Sequence, residues 1–239
     1  KVIIMFDKFK VKRAGRKIKR TAISLAEFNA SAIKAKMDFL ARKTDKKISD
    51  EFVLRIVEHQ LEDFNKLAQG GKTIRRKIEK LKNIPTNKFL REIKNLRDGL
   101  MVLMKEYLQV LEKEHHNLVH NDYAKFSANF KEEKKISVKA ESTLGLLKIK
   151  VAELEALKKN NKLTISHGKG AIYGAESLVL AAGMSGQAGY IEEDTLKSMV
   201  QIGIGLVIII LLWKLLWGLF IFVAVVAAIG AGIGFMNKK

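Results

Sequence analysis

Apolar residues recur at heptad spacing through four stretches of the first 160 residues. Alternating steps of four and three residues place them on one face of a helix, where they can pack against a neighbouring helix. Their positions are Ala26, Ala30, Ile33, Met37 and Leu40; Leu54, Val57, Leu61, Phe64 and Ala68; Phe89, Ile93, Leu96, Leu100, Leu103, Tyr107 and Val110; and Ala140, Leu144, Leu147, Val151 and Leu154. The pattern predicts an all-α fold, with a helical bundle or coiled-coil domain over residues 21–160.

Polar residues between these stretches predict where the helices begin and end. Ser49 or Asp50 is a typical N-cap for the second helix. The third and longest helix is expected from Thr86 to about Asn121, after the single proline of the chain. The fourth should end near "KKNNK", residues 158–162, where asparagine and lysine favour a helix C-terminus. Its face opposite the apolar stripe is expected to carry Lys and Glu.

The stretch "AQGGKTIRR", residues 68–76, matches only the last part of a phosphate-binding loop. The complete motif has a glycine where this chain has Lys66, and it follows a strand rather than a helix. We therefore interpret Gly70 and Gly71 as a left-handed cap that ends one helix, with Thr73 beginning the next.

Glycine and small residues dominate the segment that follows the predicted bundle. Its central part, "SLVLAAGM", is too short to cross a bilayer. We predict a Gly-rich linker and membrane-proximal segment over residues 161–198. Its middle either packs on the bundle or forms a hydrophobic loop that touches the membrane.

The C-terminal region, residues 199–236, is apolar apart from Gln201 and Lys214. One continuous helix of this length would measure about 55 Å, whereas the hydrocarbon core of a bilayer is about 30 Å thick. Three arrangements remain: one span over residues 215–236 with Lys214 at the interface, a helical hairpin that turns near Lys214, or a tilted or oligomeric helix with Lys214 in a pore. We predict a C-terminal transmembrane helix or helical hairpin, followed by a basic tail, 237–239.

Two residue sets in this region point to contacts with lipid and with other copies. Aromatic and basic residues are common where a helix meets the membrane interface, and here they are Trp213, Lys214, Trp217, Lys238 and Lys239. Small residues four positions apart let helices approach closely, and here they are Ala227, Ala228, Gly230, Ala231, Gly232 and Gly234. We therefore expect a homo-oligomer that associates through this region.

Positive charge outweighs negative charge, with 44 Lys and Arg against 25 Asp and Glu and a formal net charge of +19. The excess lies towards the N-terminus, where residues 1–20 are predicted to form a basic amphipathic segment. Its cations, which we expect to bind an anionic surface, are Lys8, Lys10, Lys12, Arg13, Arg16, Lys17, Lys19 and Arg20. Anionic lipid of a bilayer is the expected partner, and nucleic acid is the alternative.

Residue types exclude several kinds of chemistry. The chain has no cysteine, which excludes disulfides, thiolate nucleophiles and zinc–thiolate sites. His116 and His120 could share a helix face, but two imidazoles without further ligands indicate exposed or packed histidines rather than a metal site. His59 and His167 have no evident partner. No nucleophile-elbow motif occurs, so no enzyme activity, cofactor, metal site or small-molecule substrate is predicted.

The combined pattern favours a membrane-anchored, self-associating helical scaffold or tether whose basic domain binds an anionic surface. The alternatives are a pore- or channel-forming membrane protein and a membrane-tethered nucleic-acid- or ribosome-binding protein. No signal-peptide pattern is visible in this sequence. We therefore expect a membrane protein whose basic N-terminal domain lies in the cytoplasm.

Overall fold

The computed structural model describes residues 2–41, 49–79, 85–187, 199–203 and 205, with the backbone alone for residues 2–19, 21 and 70–79. Five α-helices account for most of this part of the chain, which contains no strand. They are α1 (Val2–Ala41), α2 (Asp50–Glu79), α3 (Lys88–Val119), α4 (Tyr123–Lys159) and α5 (Ile165–Ser185). The predictions of an all-α fold and a helical bundle are confirmed.

Helices that follow one another along the chain alternate in direction. Lys36 of α1 bonds Glu114 of α3, and seven residues earlier Asn29 bonds Tyr107, both pairs being 78 positions apart. The constant offset shows that α1 and α3 run parallel. In contrast, α4 runs antiparallel to α3, because Glu133 of α4 meets Tyr107 whereas Lys150 meets Glu92. The helices therefore form an up-and-down bundle.

Local capping signals placed most helix ends correctly. The N-cap prediction for α2 is confirmed, because Ser49 Oγ accepts a hydrogen bond from Phe52 N at 3.2 Å. α3 begins one residue after Asn87, whose side chain accepts from Leu90 N. After α3 and α4 the chain turns through Asn121 and Asn161, with φ of 57° and 53°. Asparagine tolerates this left-handed conformation, so the predicted ends agree with the structure to within a few residues.

The expectation that Gly70 and Gly71 end a helix is wrong. α2 passes through Gly70 and Gly71 without a break and ends at Glu79. A glycine inside a helix costs about 1 kcal/mol relative to alanine, which weakens a helix without ending it. α1 includes the predicted N-terminal segment 1–20 from Val2 onward, so the basic residues lie on the same helix as the first bundle residues.

The predicted apolar stripe of α1 is displaced. Met37 is 47% exposed and Ala30 is also exposed. Among the side chains of α1 that the structure describes, the buried ones are Ala22, Leu25, Ala26, Asn29, Ala32 and Lys36. Two of them are polar, and hydrophobic periodicity cannot detect a core position occupied by lysine or asparagine. The stripes of α3 and α4 agree better, since Leu96 and Leu103 are partly buried and the remaining predicted positions are buried.

The predicted Gly-rich linker contains a buried helix, so the structure corrects this expectation for Ile165–Ser185. Fifteen of the 21 residues of α5 are buried. A Cβ at Gly170 would lie 2.7 Å from Phe89 Cε1, and one at Gly183 would lie 2.9 Å from Leu25 Cδ2. Glycine and alanine make α5 thin enough to fit among the longer helices, where close contact supplies dispersion attraction.

The apolar C-terminal region begins inside the bundle. Met199, Val200 and Ile202 belong to the same core as α5. A Cβ at Gly203 would lie 2.3 Å from Ile172 Cγ1 and 2.9 Å from the carbonyl oxygen of Gly168. The described helices include none with the length and apolarity needed to cross a membrane. The predicted transmembrane span itself lies outside the described residues.

Gly170→Ala tests the packing of α5 on α3, and Gly99→Ala on α3 is its control. Gly170→Ala should lower the free energy of unfolding by about 1–3 kcal/mol, because the Phe89 ring must move. Gly99→Ala, at a helical glycine with no heavy atom within 4 Å of an added Cβ, should raise it by about 1 kcal/mol. Urea unfolding of the purified chain in mild detergent, followed by circular dichroism, measures both. Equal stabilisation by the two substitutions would contradict close packing of α5 on α3.

Candidate functional site

Six polar side chains lie fully buried in the middle of the bundle. This buried polar cluster consists of Asn29, Lys36, Gln60, Tyr107, Glu114 and Glu133. It receives residues from α1, α2, α3 and α4. Buried polar groups are costly unless they are hydrogen-bonded, and buried charges are costly unless they are also paired. The geometry of the cluster shows how both conditions are met.

One lysine lies between two carboxylates. Lys36 Nζ is 2.5 Å from Glu114 Oε2 and 2.9 Å from Glu133 Oε2. With all three groups ionised, the site would carry a net negative charge away from water. Burial and the adjacent Glu133 charge raise the pKa of Glu114 to about 8. Glu114 therefore holds a proton at neutral pH, which leaves Lys36 and Glu133 as a balanced ion pair.

Neighbouring groups stabilise this charge arrangement. Burial opposes the charged form of Lys36, but Glu133 and Glu114 outweigh this effect and raise its pKa. Burial and the Glu133 charge raise the pKa of Tyr107, so its hydroxyl stays protonated. That hydroxyl lies 2.7 Å from Glu133 Oε1, which also accepts from Gln60 Nε2 at 3.1 Å.

Asn29 extends the cluster to the C-terminal end of α5. Its Oδ1 accepts from Gln60 Nε2 at 2.6 Å and lies 2.8 Å from Tyr107 Oη. Its Nδ2 donates to the carbonyl oxygens of Gly183 and Met184 at 2.9 and 3.1 Å. Carbonyls in the last turn of a helix lack regular intrahelical donors. Asn29 supplies a donor to Met184 O and a second donor to Gly183 O, which also accepts from Gly186 N at 3.3 Å.

A second set of side chains holds the N-terminal end of α5. Thr164 N donates to His167 Nδ1 at 2.9 Å, and Asn87 Nδ2 is 3.1 Å from His167 Nε2. The same Asn87 caps α3, so the two helices begin side by side. Burial lowers the pKa of His167, which favours the neutral ring that accepts the Thr164 bond. The expectation that His167 lacks a partner is therefore wrong.

His59 also has partners that its sequence position did not reveal. Its Nε2 is 3.5 Å from Asp63 Oδ2, and its ring packs edge-on against Phe28 at 4.7 Å. The rings of His116 and His120 are 4.2 Å apart, and His120 Nδ1 is 2.8 Å from the carbonyl oxygen of His116. No group of three or more potential metal ligands occurs among the residues that the structure describes.

None of the sequence-predicted binding residues is a member of the buried polar cluster. Seven of the eight N-terminal cations, from Lys8 to Lys19, lie on α1 where only the backbone is described, and the Arg20 side chain is exposed. The predicted interface set at 213, 214, 217, 238 and 239 and the self-association set at 227–234 lie outside the described residues. Their roles stay predictions.

Sequence reasoning missed the cluster, although charged residues on apolar stripes give a signal for it. Glu114 lies four residues after Val110 and four before Leu118, within the buried stripe of α3. Glu133 similarly follows Phe130 and precedes Ile136. A glutamate in phase with a core stripe must find a buried cation or keep a proton. Lys36, the cation that pairs with both glutamates, lies on α1 and is distant from them in sequence.

Comparison with protein-family models, curated proteins and solved structures finds no match to this chain.

The proton on Glu114 predicts that the bundle loses stability as pH rises. An unfolded glutamate releases its proton near pH 4.3, whereas folded Glu114 keeps it to about pH 8, so folding takes up a proton between these values. The free energy of unfolding should therefore fall by about 2 kcal/mol from pH 6.5 to 8.5. Glu114→Gln should flatten this slope, whereas Glu106→Gln, at an exposed position of α3, should retain it. Urea unfolding at several pH values measures the slope, and an unchanged slope in Glu114→Gln would place the proton elsewhere.

Removal of Lys36 should leave two acidic groups without their cation. Lys36→Met is expected to lower the free energy of unfolding at pH 8 by about 3–5 kcal/mol. Lys34→Met, at an exposed position of the same helix, should change it by less than about 0.5 kcal/mol. The loss should shrink in Lys36→Met/Glu133→Gln, because this variant removes one of the two carboxyls that Lys36 pairs with. Thermal unfolding of these variants provides the comparison, and equal effects of both lysine substitutions would rule out a structural role for the ion pair.

Proposed function

We propose that this protein is a membrane-anchored helical tether whose bundle docks on an anionic lipid surface by one defined end. The observation that carries the proposal is the direction of residues 199–203, the described start of the apolar region, within the bundle core. That direction leads towards a group of exposed basic side chains.

The described start of the apolar region runs antiparallel to α5. A Cβ at Gly174 would lie 2.3 Å from Met199 Cε, whereas Gly203 packs on Ile172 and Gly168. As residue numbers rise from 199 to 203, their neighbours on α5 therefore fall from 174 to 168. Residues 199–203 are therefore directed towards the end of the bundle where α5 begins, and the sequence after them stays apolar to residue 236 apart from Lys214.

Basic side chains surround that end of the bundle. α3 and α5 begin there and α4 ends there. The exposed cations of these helix ends, which we call the docking end, are Lys88, Arg91, Lys158, Lys159 and Lys162. Each cation near an anionic membrane contributes about 1 kcal/mol of attraction. The opposite end of the bundle exposes Asp50 and Glu51 together with the cations Arg55 and Lys125, so its charges are mixed.

The N-terminal cations support the same orientation. The offset of 78 positions between α1 and α3 is constant from Asn29 to Lys36. Continued along a straight helix, it brings residues 8–20 level with residues 86–98 of α3. The predicted lipid-binding cations would then lie near the docking end. A nucleic-acid partner could use the same charges but would leave the apolar region without a role.

A second candidate function is pore formation, and the small and apolar composition of α5 favours it. A helix so rich in small and apolar residues, next to the start of an apolar region, could leave the bundle and enter lipid together with that region. The tether and the pore differ in one property. A tether leaves the bilayer sealed, whereas a pore lets small solutes cross.

Lipid-quenching measurements test the docking end, and the absence of cysteine makes single labels unambiguous. The full chain carries a fluorophore on Lys162→Cys at the docking end or on His120→Cys in the turn between α3 and α4, at the opposite end of the bundle. Vesicles containing phosphatidylserine and a lipid with a headgroup quencher should quench the first label and spare the second, because α4 separates them by about 55 Å. Added salt should weaken the quenching by screening the cations.

Equal quenching of the two labels, or stronger quenching at position 120, would contradict the proposed orientation. A dye enclosed in the same vesicles distinguishes the two candidate functions. Retained dye supports the tether, and leakage that requires the protein supports the pore.

A further inference from the structure

α4 carries a second apolar face on the side away from the bundle. Its exposed positions follow the heptad steps of four and three residues without interruption, and we call them the outer seam: Val138, Ser142, Gly145, Ile149, Ala152 and Ala156. Val138 and Ile149 are 61% and 63% exposed, and the adjacent Leu146 is 52% exposed. Lys and Glu are the residues that the sequence predicts for the exposed side of α4, and the outer seam lies among them.

The outer seam has the composition of a helix-packing surface. A regular heptad of apolar and small residues is typical of a seam between two helices. A Cβ at Gly145 would meet no heavy atom within 4 Å, so the surface there is open to a partner. The bundle itself uses the opposite face of α4, where Ala140, Leu144 and Leu147 are buried.

We propose that residues 138–149 of the outer seam bind the same residues of a second copy of this chain, with the two α4 helices antiparallel about a twofold axis near residues 143–144. In this arrangement Val138 lies opposite the second copy's Ile149, which pairs the largest apolar side chains of the seam. Ser142 lies opposite the second copy's Gly145. Small side chains nearest the axis let the two backbones approach closely.

Charge complementarity selects this pairing. On one flank of the seam, Glu141 lies next to the second copy's Lys148, and Glu155 lies next to its Lys134. Twofold symmetry repeats each pair, which gives four contacts between opposite charges. A parallel pairing would instead place Gly145 on Gly145 and Ile149 on Ile149, and it would separate Glu141 from Lys148.

The other flank brings acidic residues of the two copies together, but each already has a cation in its own chain. Glu153 of one copy faces Glu132 of the other. Glu153 Oε2 is 2.7 Å from Lys150 Nζ, and Glu132 Oε2 is 3.3 Å from Lys135 Nζ. These internal ion pairs lessen the repulsion across the seam.

Antiparallel pairing gives the tether two membrane-binding poles, a consequence that rests on the proposed docking end. The axis lies about 16 residues before Lys159, or about 25 Å along α4. The docking ends of the two copies would therefore point in opposite directions, about 50 Å apart. Such a pair would bridge two anionic lipid surfaces.

A disulfide experiment tests the seam independently of any membrane. Full-length chains carrying Val138→Cys and Ile149→Cys, with different affinity tags, are mixed in mild detergent and oxidised. The expected product is the mixed disulfide between the two variants. Homodimers of Val138→Cys would show a parallel seam and overturn the proposal, as would the absence of any cross-link. Val119→Cys, an exposed apolar position at the end of α3, is the matched control and should not cross-link.

Vesicle clustering tests the bridge. The full chain should cluster phosphatidylserine vesicles, and Ile149→Lys should weaken pairing at least about tenfold by placing an unpaired charge in the seam. Val119→Lys should leave clustering unchanged. The bridging of two membranes would be contradicted if the seam cross-links and the label at position 162 is quenched, but vesicles do not cluster. Loss of that quenching would contradict the docking end, while the mixed disulfide would still support the seam.

Discussion

The placement of a lysine and two glutamates in a dry core constrains the whole bundle. Apolar helix faces can exchange one arrangement for another with modest changes in packing energy. Lys36 cannot move away from Glu114 and Glu133 without leaving buried charges unpaired, which is far more costly. We interpret the cluster as the feature that sets the register of α1 against α3 and α4, with the proton on Glu114 as the condition for charge balance.

α5 takes its position from that arrangement. Asn29 lies one heptad before Lys36 on α1, so the register that pairs the lysine also brings the asparagine amide to the last carbonyls of α5. Asn87 and His167 hold the other end next to α3. With both ends held by distant side chains, α5 stays helical despite the low intrinsic helix propensity of its glycines. Its course in turn directs the start of the apolar region.

The two proposed surfaces use different physical forces. The proposed docking end is a group of dispersed positive charges, so the attraction to lipid that we propose for it would be long-ranged and sensitive to salt. The outer seam is a narrow apolar strip with charges along its edges, where contact area and close approach supply affinity and charge selects direction. α4 carries both, since its C-terminus belongs to the docking end and its middle forms the seam.

The sequence alone determined the helices that are long, amphipathic and locally capped. Heptads in α3 and α4, Ser49 before α2 and the asparagines after α4 act through residues within a few positions, so local patterns suffice. Only the tertiary structure decided that residues 165–185 form a buried helix, that Lys36 lies in the core and that α4 has two apolar faces. The free-energy cost of burying a glycine or a lysine depends on the side chains around it, so neither residue type by itself predicts whether its position is buried. Lys36 bonds Glu114, 78 positions away in the sequence, and Gly183 bonds Asn29, 154 positions away.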